Sequence, residues 1–154
     1  MTIGSKNVTP IFVDTNVIYT TVSASPFHSQ AMNAVQQLNK QSAELWISRQ
    51  IMREYLAVLS RPQTFASPLP ASILKSDLLR FEQQFRVAED NAEVTRQLLG
   101  LITSLTVSGK QIHDANIVAT MLTYGIKDVL THNTSAFMRF APLVTVIPVL
   151  PQSA

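Results

Sequence analysis

Three acidic residues and one asparagine fall at the ends of apolar strand-like runs or on the helices that follow them: Asp14, Glu54, Asp114 and Asn133. Each alone has an ordinary explanation as a helix cap, a solvated helix residue or a turn residue. Together they would place three carboxylates in one cleft. A pair of such charges about 4 Å apart costs roughly 1 kcal/mol in water-like surroundings and about 4 kcal/mol at an effective dielectric near 20. A folded protein avoids this arrangement unless a cation offsets it.

The composition narrows the choice of cation. The chain has no cysteine, which excludes thiolate zinc sites, disulfides and cysteine nucleophiles. Oxygen ligands without a histidine cluster favour Mg²⁺ or Mn²⁺. A carboxylate-bound cation of this kind suits phosphodiester hydrolysis, because it lowers the pKa of water and neutralises charge on phosphate oxygens.

The order of apolar segments predicts the elements that position these residues. Short apolar runs at 10–14, 45–48, 86–88, 128–133 and 145–149 read as strands, and the last reads as an edge strand because Pro148 cannot donate a ladder hydrogen bond. Segments with helical spacing alternate with them, at 16–23, 27–39, 49–60, 71–85, 91–103 and 113–125. In the segment 71–85 the spacing predicts an inner face formed by Ile73, Leu74, Leu78, Phe81 and Phe85. Apolar strands alternating with helices predict a three-layer α/β/α fold around a mostly parallel sheet of about five strands. The carboxyl ends of such strands meet at one edge, where ligands bind.

Length and charge bound the class of protein. The chain has 154 residues, and we expect a single domain over residues 1–154. No apolar run reaches the length of a membrane span and residues 1–10 lack a signal-peptide core, so we expect a cytoplasmic protein with no membrane contact. The net charge is +2. When the three candidate acids are set aside, the chain has twelve basic residues and seven acidic ones. That surplus suits a polyanionic partner.

Four segments together resemble PIN-domain proteins, and more closely the VapC-type ribonuclease toxins of bacterial toxin–antitoxin pairs. They are VDTNVI at 13–18, ISRQIMREYLAVLSRP at 47–62, HDANIVATM at 113–121 and LTHNTSAF at 130–137. The likeness covers residues 10–149. It implies the PIN fold, a metal-dependent ribonuclease activity and a small cognate antitoxin as a partner. We also expect a homodimer.

The resemblance carries the family's acidic set onto this chain. It implies that Asp14, Glu54 and Asp114 hold Mg²⁺ or Mn²⁺, and that Asn16 supports the site by hydrogen bonding. The family's fourth position falls at Thr131–His132–Asn133, where many members have an aspartate, or have one three residues later. This chain has Asn133 and Ala136 there instead. We expect Asn133 to bind a ligand water or phosphate, with Thr131 in a supporting role.

These observations lead to an expected function and two rivals. We expect a metal-dependent endoribonuclease that cuts single-stranded or looped RNA. The missing fourth acid keeps open a catalytically weak or inactive PIN-like scaffold that binds RNA or protein. A metal-dependent phosphatase is the second rival. The dipeptide His113–Asp114 is also found in HD-type phosphohydrolases, but His28 and His132 do not complete a convincing set of histidine ligands.

Overall fold

A five-stranded parallel sheet forms the centre of the molecule in the computed structural model, which describes residues 8–21 and 25–150. The predicted three-layer α/β class, with a central sheet flanked by helices, is confirmed. The strand order is β3-β2-β1-β4-β5, and every neighbouring pair is parallel. The strands are β1 Pro10–Val13, β2 Glu44–Ser48, β3 Arg86–Ala88, β4 Asp128–Thr131 and β5 Thr145–Pro148.

The helices follow the predicted segments to within a few residues. Local capping sets several of the boundaries: the Ser48 hydroxyl accepts the Ile51 N–H at the start of α3, and Gly125 ends α6 with a φ of 70°. The last two residues predicted for α1, 22 and 23, lie outside the described residues. The helices are α1 Thr15–Thr20, α2 His28–Lys40, α3 Arg49–Leu59, α4 Ala71–Gln84, α5 Ala92–Ser104 and α6 Gln111–Tyr124.

Both faces of the sheet are covered, and β2 shows how its residues divide between them. Leu45 is buried and shares a cavity with residues of α1, α2 and α4. The Trp46 ring lies 5.5 Å from that of Tyr124 in α6. Because successive side chains of a strand point to opposite faces, α6 covers the face opposite to α2 and α4.

Strand β1 lies at the centre of the sheet with one neighbouring strand on each side, and this arrangement positions the candidate site. The strands that flank β1 are β2, the next in sequence, and β4, which follows a long crossover through α5 and α6. The carboxyl end of β1 is therefore a topological switch point, where a crevice opens between diverging connections. Asp14 occupies this position, and its N–H donates to the carbonyl of Leu130 in β4 at 3.0 Å.

The structure differs from the prediction at two places, one in α4 and one after β4. Ile73, predicted on the inner face of α4, is 46% exposed because α4 packs through Leu74, Asp77 and Phe81 instead. A 3₁₀ helix, Thr134–Phe140, follows β4, although the residues there show no helical period. As predicted, β5 with Pro148 is an edge strand of the sheet.

Among the described residues no helix is both long enough and apolar enough to cross a membrane.

Candidate functional site

Asp14 is both a helix cap and a buried acid. It precedes α1, and its Oδ1 accepts the Thr15 N–H at 2.8 Å. Its Oδ2 accepts the Thr131 hydroxyl at 2.8 Å and the Asn16 amide at 3.3 Å. The side chain is only 8% exposed. The helix cap thus uses one carboxylate oxygen, and the contacts with Thr131 and Asn16 use the other.

Asn16 ties the start of α1 to the end of β4. Its Nδ2 donates to the Thr131 hydroxyl at 3.2 Å, and its Oδ1 accepts the His132 N–H at 3.1 Å. Both residues predicted to support the site, Asn16 and Thr131, therefore contact Asp14 directly. These contacts hold the Asp14 carboxylate in one orientation at the sheet edge.

Glu54 lies in the middle of α3 and is held at both carboxylate oxygens. Oε1 accepts the Gln50 amide at 2.9 Å, one helical turn earlier, and Oε2 accepts the Thr15 hydroxyl. Gln50 is itself buried: it also donates to the carbonyl of His113 at 2.9 Å and accepts the Asn116 amide at 2.7 Å. A chain of amides therefore links Glu54 in α3 to the first turns of α6.

Asp114 is half-buried in the first turn of α6, which begins at Gln111. The structure thus starts this helix two residues before the predicted position, and Lys110 rather than Asp114 occupies the cap position. An acidic side chain in the first turn is still favourable, because it lies near the positive end of the helix dipole.

The electrostatics of the three acids are coupled. Burial raises the pKa of Asp14 to about 6, with further upward contributions from the charges of Glu54 and Asp114, against hydrogen bonds from Thr131 and Thr15 that lower it. Burial and the Glu54 charge also raise the pKa of Asp114. Each of these two acids would be easier to ionise if a cation lay between them and their neighbours.

One open cleft of about 340 Å³ brings the predicted residues together. Asn133 lies at its exposed rim, where its Oδ1 accepts the Ser135 hydroxyl at 2.9 Å, and Ala136 lies nearby. The sequence-predicted residues among its lining are Asp14, Asn16, Glu54, Asp114 and Asn133. Thr131, fully buried beneath the cleft, contacts its lining through Asp14, Asn16 and the N–H of Asn133.

The donor chemistry of the cleft fits a hard divalent cation, although its acids do not form a closed cage. Within residues 8–21 and 25–150, no three acidic, histidine or cysteine side chains gather closely enough to make a complete ligand set. Mg²⁺ needs no such cage, because it is usually bound through one or two carboxylates and keeps several of its waters. Carboxylate oxygens with unneutralised charge meet that requirement.

Sequence reasoning missed several residues of this region. Thr15 binds Glu54, Gln50 holds it from the other side, and Tyr19 and Arg61 complete the wall of the cleft. Burial and the nearby Asp14 charge raise the pKa of Tyr19. The one available signal was Gln50, a polar residue one turn before Glu54 on a helix whose inner stripe is otherwise apolar.

The fold is shared with several solved structures. The VapBC complex of Salmonella typhimurium bound to DNA matches with a TM-score of 0.68 and 17% identity, over 93% of this chain and 100% of that chain. VapBC2 of Rickettsia felis, bound to a DNA fragment from its promoter, matches with a TM-score of 0.67 and 18% identity, over 90% and 98%. VapC20 of Mycobacterium tuberculosis, a sarcin–ricin loop cleaving toxin, matches with a TM-score of 0.57 and 19% identity, over 77% and 86%.

The match to a family model identifies the family of the chain, whereas the structural matches show its fold. No curated protein matches the chain. At 16–19% identity the likeness to toxin–antitoxin structures shows a common fold. The family model for the PIN domain, however, matches residues 11–141. The resemblance found in the four sequence segments is therefore confirmed, and the chain belongs to the PIN-domain family.

Proposed function

We propose that the protein is a metal-dependent endoribonuclease and the toxin of a toxin–antitoxin pair. The observation that carries this proposal is the position of Asp14: a buried carboxylate with a raised pKa, at the switch point of the sheet, in one cleft with two further acids. The solved structures with this fold include a toxin described as cleaving the sarcin–ricin loop and toxin–antitoxin complexes, which supports the substrate and the partner.

In this proposal Asp14 and Asp114 hold Mg²⁺ or Mn²⁺, with Glu54 as the third acid of the site. When bound, such a cation supplies Lewis-acid chemistry, since it offsets charge on phosphate oxygens and lowers the pKa of water. The residues of the chain do the positioning. Thr131 and Asn16 fix the Asp14 carboxylate, and Gln50 fixes Glu54.

The substrate is RNA in single-stranded or looped form. The cleft is open rather than enclosed by a lid, and its wall includes the exposed guanidinium of Arg61, so it can admit a flexible polyanion beside its acids. Unpaired bases can be splayed away from the strand, whereas a duplex would present only its backbone. A cleavage assay on a mixed RNA pool, with Mg²⁺, Mn²⁺ or EDTA, tests this directly. We expect cuts with either metal and none with EDTA.

The second candidate is a PIN-like scaffold that binds RNA or protein without cutting. Two features favour it: the fourth acidic position holds Asn133, whose Oδ1 already accepts a hydrogen bond, and the acids do not form a closed ligand set. Binding of the RNA pool with no cleavage under any metal condition would select the scaffold. Turnover of small phosphate monoesters without RNA cleavage would select a phosphatase.

The biological role has its own test in cells. We propose that the protein acts in the cytoplasm and that a small antitoxin covers the cleft. Expression alone should arrest growth, and co-expression with a small reading frame found beside the gene should restore it. The Asp114→Asn variant should be harmless at equal abundance. Growth arrest by the Asp114→Asn variant would contradict toxicity through cleavage. A homodimer would appear as twice the monomer mass in light scattering.

A further inference from the structure

A second cavity opens beside the cleft, on the same helix. It has a volume of about 480 Å³, within the range of small-ligand pockets. Glu54 and Ala57 line both the cavity and the cleft, so that α3 forms a common wall. The other residues that matter for its chemistry are Arg53, Leu98, Ile112, His113 and Asn116.

The shared wall is one face of α3. Gln50, Glu54 and Ala57 follow at intervals of four and three residues, the spacing of a single helical face. Gln50 lines only the cavity, and Arg61, just beyond the end of α3, lines only the cleft. A strand that runs along this face would therefore pass from the acidic cleft to the cavity within about two turns of helix, or roughly 11 Å.

The lining of the cavity is unlike that of the cleft. Leu98 and Ile112 supply apolar side chains, and His113 supplies an exposed aromatic ring. Arg53 is exposed, and its ion pair with Asp90 is long, at 3.4 Å between nitrogen and oxygen. Glu54 is the one acid in the lining, and both its oxygens already accept hydrogen bonds. The cavity thus offers flat and apolar surfaces with a guanidinium at the edge, and not a set of metal ligands.

We propose that this cavity takes one unpaired nucleobase of the RNA substrate, next to the phosphate that lies in the cleft. A base is a flat heteroaromatic ring that binds by stacking on aromatic and apolar side chains, with amide groups reading its edge. His113 with Leu98 and Ile112 provides the first kind of contact, and Asn116, whose Nδ2 donates to Gln50, provides the second through its Oδ1. The inference rests on the proposed ribonuclease function and adds a base-specific subsite to it.

The test is a double-mutant cycle that combines protein variants with RNA variants. Binding affinity is measured in EDTA, so that the metal site plays no part. The probes are a short fluorescent single-stranded RNA that contains a sequence from the pool and copies with an abasic nucleotide at each position in turn. For the wild type we expect one abasic position to weaken binding about tenfold, because that RNA lacks the stacking base. For His113→Ala we expect intact RNA to bind about tenfold more weakly and the abasic penalty to disappear. His113→Phe, which keeps a ring, should restore the penalty.

Arg53 and Arg96 provide a matched pair of variants. Both are exposed and each pairs with a single carboxylate, but only Arg53 lines the cavity. Arg53→Ala should weaken binding of intact RNA severalfold, and Arg96→Ala should leave it close to the wild type.

The outcomes separate the subsite from the function. If the wild type cuts RNA but no abasic position weakens binding, or if the penalty persists in His113→Ala, the subsite is overturned and the nuclease stands. If His113→Ala loses affinity for the antitoxin while its RNA binding is unchanged, the cavity belongs to a protein partner. If the wild type neither binds nor cuts RNA, the proposed function is overturned together with the subsite.

Discussion

Two aspartates are buried to nearly the same extent and have opposite surroundings. Asp14 is 8% exposed at the carboxyl edge of the sheet, and Asp77 is 9% exposed between α3 and α4. Asp77 accepts the hydroxyl of Tyr55 at 2.6 Å, and its other oxygen lies 3.4 Å from the Arg80 guanidinium. Asp14 accepts three hydrogen bonds from uncharged groups and faces the charges of Glu54 and Asp114.

The difference separates an acid that joins two helices from an acid that we propose as a site residue. The charge of Asp77 is offset by the guanidinium of Arg80, and the hydrogen bond that Asp77 accepts from Tyr55 joins α4 to α3. Burial raises the pKa of Asp14 to about 6, and the charges of Glu54 and Asp114 add to the rise against the hydrogen bonds from Thr131 and Thr15. Burial alone therefore does not identify a site. An acid whose neighbours disfavour its ionised form is the better indicator of one.

The largest expected effect is on cleavage. Asp14→Asn should reduce RNA cleavage by about 10³-fold or more, because cation-based stabilisation of the transition state contributes several kcal/mol. The same change should stabilise the metal-free protein at pH 7 by about 1 to 2 kcal/mol. The raised pKa predicts a gain near 3 kcal/mol. Part of this gain is lost, because the asparagine NH2 cannot accept the hydrogen bonds that a carboxylate oxygen accepts. Single-turnover cleavage and urea unfolding in EDTA measure the two effects.

Asp77→Ala is the matched control for this variant and should behave in the opposite way. It leaves the buried Tyr55 hydroxyl without its acceptor, which should destabilise the fold by about 1 to 3 kcal/mol. Cleavage per folded molecule should not change. The comparison fails if Asp77→Ala abolishes cleavage at full folding, or if Asp14→Asn still cuts at the wild-type rate.

The second effect concerns pH in the absence of metal. The Asp14 pKa is about 6 in the folded state and about 3.8 in the unfolded state, so the folded state binds the proton more tightly. Its contribution is fully present below pH 3.8 and is lost as the pH rises through 6, a total of about 3 kcal/mol. The difference in unfolding free energy between wild type and Asp14→Asn, measured in EDTA across this range, isolates the contribution. A difference that does not vary from pH 4 to 7 would contradict the coupling.

The third effect tests the amide that holds Glu54. Gln50→Met keeps the length of the side chain but removes its donor to Glu54, and should weaken Mn²⁺ binding about tenfold, as loss of a ligand's supporting partner does. Gln97 makes an equivalent amide–carboxylate contact one turn from Glu93 on α5. Gln97→Met therefore serves as a control that should leave the affinity unchanged. Calorimetric titration measures both, and equal affinities for both variants would place Glu54 outside the metal site.

Much of the fold could be predicted because strands buried on both faces are apolar along their whole length. The five strand segments followed from their apolar runs, and the edge position of β5 followed from Pro148, which cannot donate a ladder hydrogen bond. The error at Ile73 arose because apolar residues on an amphipathic helix do not all face the core. The 3₁₀ helix Thr134–Phe140 was missed because it is held by local turns rather than by a periodic apolar face.

The candidate site was predicted to the extent that it follows from strand ends. Asp14, Asp114 and Asn133 lie close to the carboxyl ends or helix starts where a parallel sheet gathers its polar residues, and the structure brings them into one cleft with Glu54. The contacts of Gln50 with His113 and Asn116 join residues more than sixty positions apart in sequence. They depend on how α3 packs against α6, which no local pattern encodes.

The smallest expected effect comes from adding a charge to the cleft. Asn133→Asp and Ala136→Asp each place a further carboxylate on its lining. A new charge about 8 Å from the divalent cation contributes roughly 1 kcal/mol in water-like surroundings, so Mn²⁺ should bind up to about fivefold more tightly. Ser135 can still donate to an aspartate at position 133, so this variant should keep the local fold. Asn91→Asp, at the cap of α5, adds the same charge away from the cleft and should leave Mn²⁺ binding unchanged. If both cleft variants bind Mn²⁺ no more tightly than this control, then neither position reaches the cation, and the uncompensated charge that distinguishes Asp14 from Asp77 is confined to the three original acids.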